Sequence, residues 1–477
     1  MGFRSQVAAT LGKSARWAGE TFMHRSAGNL PGAIAMKLAP AVLADLAPRA
    51  DNMIVVSGTN GKTTTTNLVA DCLATSGRAL YCNRDGNNLE SGIVTALLVK
   101  PEQGCSVSGA ASSSGAPVSC FECDEMYTKH VLPRVRPRYF MLLNLFRDQL
   151  DRVGEIEHVQ NTIAAALEGS PETVFLYNGD DPLCAAIAGR IPNRSTAFGI
   201  ASDLGLDADR ISDSRFCQQC GAALEYDYVH YGQLGAYRCP DCGWARPALD
   251  FAACNVRLED DGYAFDIDGH TVCTGQTGAY MIYNTLAAYA ASKVSGIVAF
   301  DDFARAVESY RPTNGRLQTF DLGTRSVMTN LAKNPTGFNQ NIRIVLNEGG
   351  RVLALFVNDD EADGCDVSWF WDIDFERWAQ IDGLKAFVGG TRANDMQVRL
   401  KYAGIESTIV ETAADVLDAT DESDGKVYVI ANYTALPPLR RELELREEGL
   451  KAFLNASAAE GFVEDEAGDQ AAVKKGE

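Results

Sequence analysis

Short apolar runs alternate with helix-patterned stretches along the first part of the chain. From residue 53 to about 200 the runs read MIVVS, ALYCN, VSCFEC, RYFMLLN and TVFLYN, and most are separated by segments with helical spacing of apolar positions. Strands that alternate with helices pair in parallel, so the pattern predicts an α/β domain with a mostly parallel, doubly wound sheet. Similar runs return at RVLALFV, KAFVGG, STIV and KVYVIA, which predicts a second α/β domain.

Polar and glycine-containing segments interrupt this pattern and suggest the domain limits. Residues 101–117 are rich in Gly, Ser and Ala and read as a solvated loop, and YRPTNGRLQ at 310–318 reads as a linker. The final residues are acidic and poor in large apolar side chains. We therefore expect a central domain over 1–315 with an insertion at 212–248, a Rossmann-like α/β domain over 316–455, and a disordered tail over 456–477.

A strand, a glycine-containing turn and a helix follow one another at residues 53–73. The turn reads GTNGKTT and comprises Gly58, Thr59, Asn60, Gly61, Lys62, Thr63 and Thr64. Successive backbone N–H groups and a helix N-terminus attract an anion, the Lys62 ammonium can reach terminal phosphates, and the Thr63 hydroxyl suits Mg²⁺. Only two residues separate the glycines, where the usual Walker pattern has four. A plain structural turn is the alternative, and the strand–loop–helix context favours a nucleotide site.

Composition and charge narrow the class of protein. The 477 residues are 46% hydrophobic with a formal net charge of −20, which describes a globular chain and argues against a sequence-independent nucleic-acid partner. No run of about 18 uncharged apolar residues occurs, and charged residues interrupt the first twenty positions. We expect a cytoplasmic protein that does not span a membrane.

The spelling GTNGKT resembles the phosphate loop of the Mur ligase superfamily, and other landmarks follow in the same order. Glu122 ends the strand of FECDE, LNLFRDQLDRVGE occupies 143–155, Asn284 lies in YNTLAAYAA, and Arg316 lies in NGRLQ. The resemblance implies that ATP is bound by the loop together with Asn284 and Arg316. It also implies that Thr63 and Glu122 bind Mg²⁺ and that Lys62 and Glu122 serve catalysis. Taken singly, Glu122 could be a solvated strand end, Asn284 a cap, and Arg316 a surface ion pair.

Two departures indicate a branch within that superfamily. The phosphate loop begins too early for a preceding UDP-binding domain, so we expect the substrate to be held through a lipid or a second subunit. The usual Asp-x-Tyr-Ala-His phrase is replaced by TNLAKNPTGFNQ, with Thr329 and Lys333 in place of the acid and the imidazole. The segments AKNPTGFN, NDDEADGCDVSWFWDIDFE, DMQVRLKYAG and NYTAL resemble the MurT family, the synthetase subunits of lipid II isoglutaminyl synthase.

The MurT resemblance implies an ATP-dependent amidation. The D-glutamate α-carboxylate of the lipid II stem peptide would be phosphorylated, and ammonia from a glutaminase partner resembling GatD would displace the phosphate to give D-isoglutamine. Lipid II implies work at the inner face of the membrane. Two alternatives stay open: a stand-alone ligase of the Mur or folylpolyglutamate type that adds an amino acid, and a nucleotide-binding scaffold without ligase activity.

Two Cys-x-x-Cys pairs lie in the insertion at 212–248. Cys217 and Cys220 precede Cys239 and Cys242 by a spacer of eighteen residues, which is a strong zinc-ribbon pattern. A shell of four thiolates leaves no position for a reactive water, so we expect a structural zinc site. Redox-active dithiols are the alternative. The remaining cysteines, including Cys72, Cys82, Cys184 and Cys365, show no pattern of a glutaminase nucleophile.

The segment 359–378 combines carboxylates with three of the five tryptophans. Trp369, Phe370 and Trp371 follow one another and cannot all face a core, so we expect part of this segment to dock the glutaminase. The MurT resemblance implies that an aspartate here completes the partner's Cys–His pair. Asp366 is our first choice, ahead of Asp363 and Asp372, and a turn-capping role is an equal alternative. Arg147, Asp148 and Asp151 are further candidates for the substrate pocket, or else members of a surface ion-pair network.

Overall fold

A computed structural model describes residues 2–23, 28–104, 115–148, 155–260, 262–312 and 315–452. The chain divides into two compact units, residues 1–311 and 312–477. Most of the loop predicted at 101–117, the tail predicted at 456–477, and Asp151 lie outside the described residues.

The first unit is built on a mixed sheet of nine strands in the order β11-β10-β9-β6-β5-β4-β1-β3-β2. The pairings from β2 across to β9 are parallel, and β10 and β11 add antiparallel strands at one edge. The predicted doubly wound α/β fold is therefore confirmed. The strands are β1 Asp51–Ser57, β2 Leu80–Cys82, β3 Val118–Glu122, β4 Tyr139–Leu142, β5 Val174–Asn178, β6 Ser195–Ile200, β7 Glu225–Tyr231, β8 Leu234–Arg238, β9 Phe251–Glu259, β10 Gly262–Ile267 and β11 His270–Cys273.

Helices cover this sheet, and two apolar clusters fill the space between the layers. The central strands are buried along almost their whole length, which is why their sequences read as continuous apolar runs. The helices are α1 Phe3–Met23, α2 Leu30–Leu38, α3 Val42–Leu46, α4 Lys62–Ala74, α5 Glu90–Leu98, α6 Thr128–Val135, α7 Ile156–Glu168, α8 Pro182–Ala188, α9 Tyr280–Ser295 and α10 Phe300–Ser309.

The insertion forms a small ribbon of its own. Among the described residues, β7 and β8 pair only with each other as an antiparallel hairpin. One cysteine pair precedes the hairpin and the other follows it. Isolated bridges join Phe216 to Ala223 and Arg238 to Ala245, closing a tight loop at each cysteine pair. This is the architecture that the Cys-x-x-Cys spacing predicts.

The second unit is also α/β, as predicted. Its sheet has the order β12-β13-β17-β14-β15-β16, with β12 antiparallel and the other pairings parallel. Its strands are β12 Gln318–Asp321, β13 Ser326–Leu331, β14 Val352–Phe356, β15 Lys385–Gly389, β16 Ser407–Ile409 and β17 Val427–Ala431. Its helices are α11 Pro335–Asn347, α12 Ala393–Tyr402 and α13 Ala413–Asp418, and residues 436–452 are also helical.

Within the described residues, no single helix is long and apolar enough to cross a bilayer. The segments Leu30–Leu38 and Val42–Arg49 meet the length and composition criteria only when joined, and they are bent by 106°.

Candidate functional site

The phosphate loop lies at the carboxyl ends of the parallel strands. β1 ends at Ser57, and α4 begins at Lys62 after Gly61, which adopts a left-handed conformation with φ 86°. Gly58 has φ 134°, and a Cβ there would lie 3.0 Å from Cβ of Leu143. Both glycines are therefore required by conformation, and the loop presents the N-terminus of α4 as expected for an anion site.

Lys62 is buried and folded back over this loop. Its Nζ donates to the carbonyl oxygen of Gly58 at 2.6 Å and lies 3.0 Å from Oε1 of Glu125. Glu125 sits in a 3₁₀ turn, Glu125–Tyr127, just after β3. A buried ammonium needs a paired charge, and Glu125 supplies that charge to Lys62 beside the loop.

Thr63 and Glu122 form the second feature of the loop. The Thr63 hydroxyl donates to Oε2 of Glu122 at 2.5 Å, and the amide of Asn88 donates to Oε1 at 3.0 Å. The backbone N–H of Glu122 donates to Oδ1 of Asn83 at 2.8 Å. Two buried hard oxygens, one from a hydroxyl and one from a carboxylate, fit the donors that Mg²⁺ prefers.

The loop at 83–88 passes directly over this pair. Gly86 has φ 77°, and a Cβ there would lie 3.0 Å from Oγ1 of Thr63 and 3.3 Å from Oε2 of Glu122. A side chain at this position would therefore cover both oxygens.

The segment after β4 is hydrogen-bonded to the phosphate loop. Asn144 accepts the N–H of Asn60 through its side chain at 2.9 Å and the N–H of Thr59 through its backbone at 3.0 Å. The hydroxyl of Thr59 accepts the N–H of Phe146 at 2.9 Å. A loop this short has few internal contacts, so residues 143–146 supply its support. The residues LNLF, which resemble the Mur ligase sequence, therefore hold the phosphate loop in place.

Asn284 lies on α9 against the start of α4. Its Oδ1 accepts the Thr65 hydroxyl at 3.2 Å and lies 2.5 Å from the place a Cβ on Gly61 would occupy. The structure therefore brings Asn284 to the loop. Arg316 belongs to the second unit, where it is half-buried, and its nucleotide contact stays a prediction.

The four cysteines of the ribbon converge on one point. Their sulfur atoms all lie within 4.8 Å of one another, with Cys217 and Cys242 at 3.6 Å and Cys220 and Cys239 at 3.5 Å. Sulfurs bound to one tetrahedral zinc at 2.3 Å are about 3.8 Å apart, so the quartet fits that ion. Backbone N–H groups, chiefly that of Cys242, lower the pKa of Cys239 to about 7, whereas the pKa values of Cys220 and Cys242 are raised, so without a metal the quartet favours one thiolate.

The tip of the ribbon hairpin touches the support of the phosphate loop. The amide of Gln233 donates to the carbonyl oxygen of Leu145 at 2.6 Å, and the ring of Tyr231 stacks on that of Phe146 with centroids 6.1 Å apart. A Cβ on Gly232 would lie 2.6 Å from the Phe146 ring. The chain of contacts runs from the ribbon through residues 145 and 146 to Thr59.

Asp181, three residues after β5, is hydrogen-bonded to the same segment that supports the phosphate loop. Its Oδ2 accepts the N–H of Leu145 at 2.8 Å, and its Oδ1 accepts the N–H of Leu183 at 3.0 Å. Burial raises the pKa of Asp181 to about 6, because the backbone donors only partly offset the lost hydration.

A second buried network ties the ribbon to the core. Asp180 accepts the Tyr283 hydroxyl at 2.7 Å and an Arg246 N–H at 3.1 Å, and His230 lies 2.7 Å from that same hydroxyl. Burial raises the pKa of Asp180 and lowers that of His230, so the imidazole is favoured in its neutral form. His230 lies on β7 and Tyr283 on α9, while Asp180 and Arg246 lie in the segments that follow β5 and β8. The groups are hydrogen-bonded to one another, which describes a structural network.

The candidate aspartates of the second unit have different surroundings. Asp363 is buried and accepts the Thr434 N–H and hydroxyl, and burial raises its pKa. Asp366 is exposed and accepts the Ser368 N–H at 2.8 Å, while Asp372 is half-buried. Exposure leaves Asp366 accessible to a partner, but its role stays a prediction.

The aromatic residues around these acids separate into core and surface. Phe370 and Trp378 are buried, whereas Trp371 is 48% exposed and packs edge-on against Tyr402, which is 75% exposed. The expectation that the consecutive aromatics do not share one face is met.

The other residues singled out in the sequence are described by their surroundings within their own unit. Thr329 is buried in β13, and the ammonium of Lys333 lies over the Tyr433 ring. The backbone N–H of Arg147 donates to Asp213 at 2.9 Å, and Asp148 is half-buried beside it in sequence. Cys72 and Cys184 are buried, Cys82 is half-buried and Cys365 is exposed.

Comparisons place this arrangement among known proteins. Residues 56–292 match the family described as Mur ligase middle domain, and residues 331–436 match the one described as MurT ligase C-terminal. A pseudomurein peptide ligase type C from Methanothermus fervidus has a TM-score of 0.64 at 18% identity, covering 86% of this chain and 84% of its own. MurF ligase from Thermotoga maritima, solved in complex with ADP, has a TM-score of 0.58 at 15% identity, covering 88% and 84%. The fold is that of the Mur ligases.

Two relatives narrow this class further. A protein of Staphylococcus aureus (strain N315) described as lipid II isoglutaminyl synthase (glutamine-hydrolyzing) subunit MurT is 33% identical over 94% of this chain and 99% of its own length. Its counterpart in Streptococcus pneumoniae (strain ATCC BAA-255 / R6) is 33% identical over 88% and 92%. The chain belongs to the MurT family, and the resemblance read from the sequence is confirmed.

Proposed function

We propose that this chain is the synthetase subunit of an amidotransferase that converts the D-glutamate α-carboxylate of the lipid II stem peptide to D-isoglutamine. The observation that carries the proposal is the buried Thr63–Glu122 oxygen pair beside Lys62 at the N-terminus of α4. The names of the two MurT relatives supply the substrate and the class of reaction.

The residues of the loop divide the work of activating a carboxylate. Backbone N–H groups at the start of α4 bind the terminal phosphates of ATP, and Lys62 balances their charge. Thr63 and Glu122 would hold Mg²⁺, which supplies charge neutralisation during phosphoryl transfer. Transfer of the γ-phosphoryl group to a carboxylate oxygen makes an acyl phosphate. Ammonia then attacks the carbonyl carbon, inorganic phosphate leaves with the C–O electron pair, and the nitrogen loses a proton to give the amide.

A separate glutaminase, resembling GatD, would supply the ammonia. The described cysteines outside the ribbon give no Cys–His–acid arrangement that could release ammonia, and the thiols of Cys72 and Cys184 are buried with raised pKa values. The exposed pair Trp371 and Tyr402 is the apolar surface that we assign to this partner, and Asp366 is the acid that we assign to its catalytic pair. Zinc in the ribbon has no part in the chemistry and serves structure.

Reconstitution tests the proposal. The chain, a candidate glutaminase, ATP, glutamine and lipid II are combined, and mass spectrometry follows replacement of a hydroxyl by an amino group on the stem peptide. The expected result is amidation with one ADP formed per amide, lost in Lys62→Met. Consumption of ATP with a free amino acid instead of ammonia would favour the stand-alone ligase, and nucleotide binding without ADP formation would favour the scaffold.

A further inference from the structure

One face of α1 exposes large apolar side chains. We call this set the α1 stripe; its members and their exposed fractions are Phe3 (80%), Val7 (42%), Leu11 (46%) and Trp17 (63%). At 3.6 residues per turn these positions fall within an arc of about 120°. The buried positions of α1 lie on the opposite side, where the helix packs on α2 and α5: Ser5, Ala8, Ala9 and Gly12.

Packing on that opposite side is close, so the stripe is the outer face of an attached helix. A Cβ on Gly12 would lie 2.7 Å from Cδ1 of Leu98 and 3.4 Å from Cβ of Ala35. Six of the fifteen exposed large apolar side chains in the described residues fall within the first 38 positions. An exposed apolar helix face of this kind is typical of an interaction surface.

Basic residues border the stripe in a chain that is otherwise acidic. Arg4 and Lys13 fall on its two sides, each about 20–40° beyond its edges in helical projection. The first 49 residues contain six Lys or Arg and two Asp or Glu, whereas the remainder contains 37 and 61. An apolar face with flanking cations complements a surface that combines acyl chains with anionic headgroups.

The polar side chains within the stripe already have partners. The hydroxyl of Thr10 donates to the carbonyl oxygen of Gln6 at 3.0 Å, and that of Ser14 donates to the carbonyl oxygen of Thr10 at 3.1 Å. Hydroxyls bonded to their own helix lose less when water is removed, so this face can enter an apolar environment at low cost.

The helix α2, against which α1 packs, connects to the phosphate-loop side of the sheet. Leu30, 53% exposed, begins α2 next to Asn29, whose Oδ1 lies 3.3 Å from the Ser91 hydroxyl on α5. Asn88, three residues before Ser91, binds Glu122. The start of α2 is therefore linked through residues 88–91 to Glu122, the proposed metal-binding carboxylate.

We propose that the α1 stripe binds an anionic phospholipid surface, with Arg4 and Lys13 contacting the headgroups. The amidation chemistry is not needed for this binding. Only the purpose of the binding rests on the proposed function. That purpose is to bring the phosphate loop close to a substrate that is embedded in the lipid surface.

Vesicle binding of the full chain tests the proposal. Sedimentation is measured with vesicles of mixed phosphatidylglycerol and phosphatidylcholine, and with phosphatidylcholine alone. We expect binding to the mixed vesicles that weakens with salt, and a loss of at least about tenfold in Leu11→Glu because a charge enters the apolar face. The matched control Leu346→Glu makes the same change at an exposed leucine of α11 and should bind as the wild type does. The double variant Arg4→Gln and Lys13→Gln should bind the mixed vesicles more weakly than the wild type does. Its binding to phosphatidylcholine vesicles should not change.

Several outcomes would overturn the assignment. These are no binding by the wild type, equal loss in the Leu346→Glu control, or a loss in Leu11→Glu of self-association or glutaminase binding with vesicle binding intact. Circular dichroism and nucleotide binding confirm that each variant is folded. Amidation of a water-soluble, short-chain lipid II analogue is measured in parallel and should be unchanged in Leu11→Glu, so failure of the amidation proposal is distinguishable from failure of vesicle binding.

Discussion

At the scale of single residues, two oxygens 2.5 Å apart carry the chemistry proposed for this chain. Thr63 and Glu122 come from different elements, the first turn of α4 and the last residue of β3, and parallel pairing of β1 with β3 brings them together. Each is buried, so a metal held there would be shielded from competing water.

Thr63→Val keeps the shape of the side chain and removes the hydroxyl. We expect ADP formation to fall by about 100-fold because the metal would lose a ligand. The matched control is Thr66→Val on the same helix, where the buried hydroxyl has no hydrogen-bond partner. A steady-state assay over a range of Mg²⁺ concentrations measures both variants. Equal losses in the two would refute a metal-binding role for Thr63.

Asp181 makes stability depend on pH. Its pKa is raised to about 6 from 3.8, so the folded chain binds this proton more tightly than the unfolded chain does. The stabilisation is present at low pH and is lost as pH rises through about 6, amounting to at most about 3 kcal/mol. Urea unfolding between pH 4 and 7 should show the wild type losing stability relative to Asp181→Asn, while the exposed Asp260→Asn follows the wild type. Parallel pH profiles for all three would contradict the shift.

At the scale of elements, the sequence predicts motifs whose residues are close together along the chain. It does not predict contacts between residues that are far apart in the sequence. The phosphate loop, Glu122 and the cysteine quartet are recognisable because each is specified by residues a few positions apart. The sequence does not single out Glu125, Asn144 or Gln233, because their partners Lys62, Asn60 and Leu145 lie far along the chain. Only the FECDE and LNLF letters could have drawn attention to the first two.

Whole elements were missed for similar reasons. The sequence gives no prediction for α1–α3, because the small residues in α1 weaken the helical pattern. The sequence pattern also does not predict β9–β11, which pair antiparallel as a meander at the edge of the sheet. The predicted fold class is nevertheless correct, because the central parallel strands have the most continuous apolar sequences and are therefore recognised.

The tip of the ribbon hairpin contacts residues 145 and 146, which support the phosphate loop. In Gly232→Ala, the new methyl group would collide with Phe146, so we expect a loss of about 2–4 kcal/mol in unfolding free energy and about tenfold weaker nucleotide binding. The control Gly269→Ala, at φ 81° with open space around it, carries only the backbone strain of about 1–2 kcal/mol. Calorimetric titration with an ATP analogue compares them. If Gly232→Ala bound nucleotide as Gly269→Ala does, the tip would not support the loop.

Zinc should therefore influence nucleotide binding without touching the nucleotide. Cys220→Ser, or removal of zinc by a chelator, is expected to lower both thermal stability and nucleotide affinity because the hairpin loses its anchor. Cys273→Ser changes an exposed cysteine outside the quartet and should retain one zinc per chain. Metal analysis and nucleotide titration on the same samples give the result. Zinc-free protein with full affinity would contradict the connection.

At the scale of the whole molecule, the two units carry different parts of the proposed reaction. The first holds the phosphate loop and the ribbon, and the second presents the exposed aromatic pair and the acids of 359–378. Ammonia made by a partner has to reach an activated carboxylate, so loss of the partner contact should affect one nitrogen source and not the other.

Asp366→Asn separates these sources. We expect glutamine-dependent amidation to be abolished in the reconstituted complex while amidation with added ammonium is kept, because only the partner's catalytic pair loses its acid. Asp360→Asn, an exposed acid on the same segment, is the control and should retain both activities. Retained glutaminase activity in Asp366→Asn would reject the assignment.

The close passage of Gly86 over the oxygen pair bears on how relatives are classified. A homologue could keep every letter of GTNGKT and still carry a side chain at this one position. We expect such a protein to bind nucleotide without catalysing phosphoryl transfer, because the side chain would cover the two oxygens. It would behave as an inactive paralogue. Position 86 should therefore be inspected together with residues 58–63 before activity is inferred from the motif.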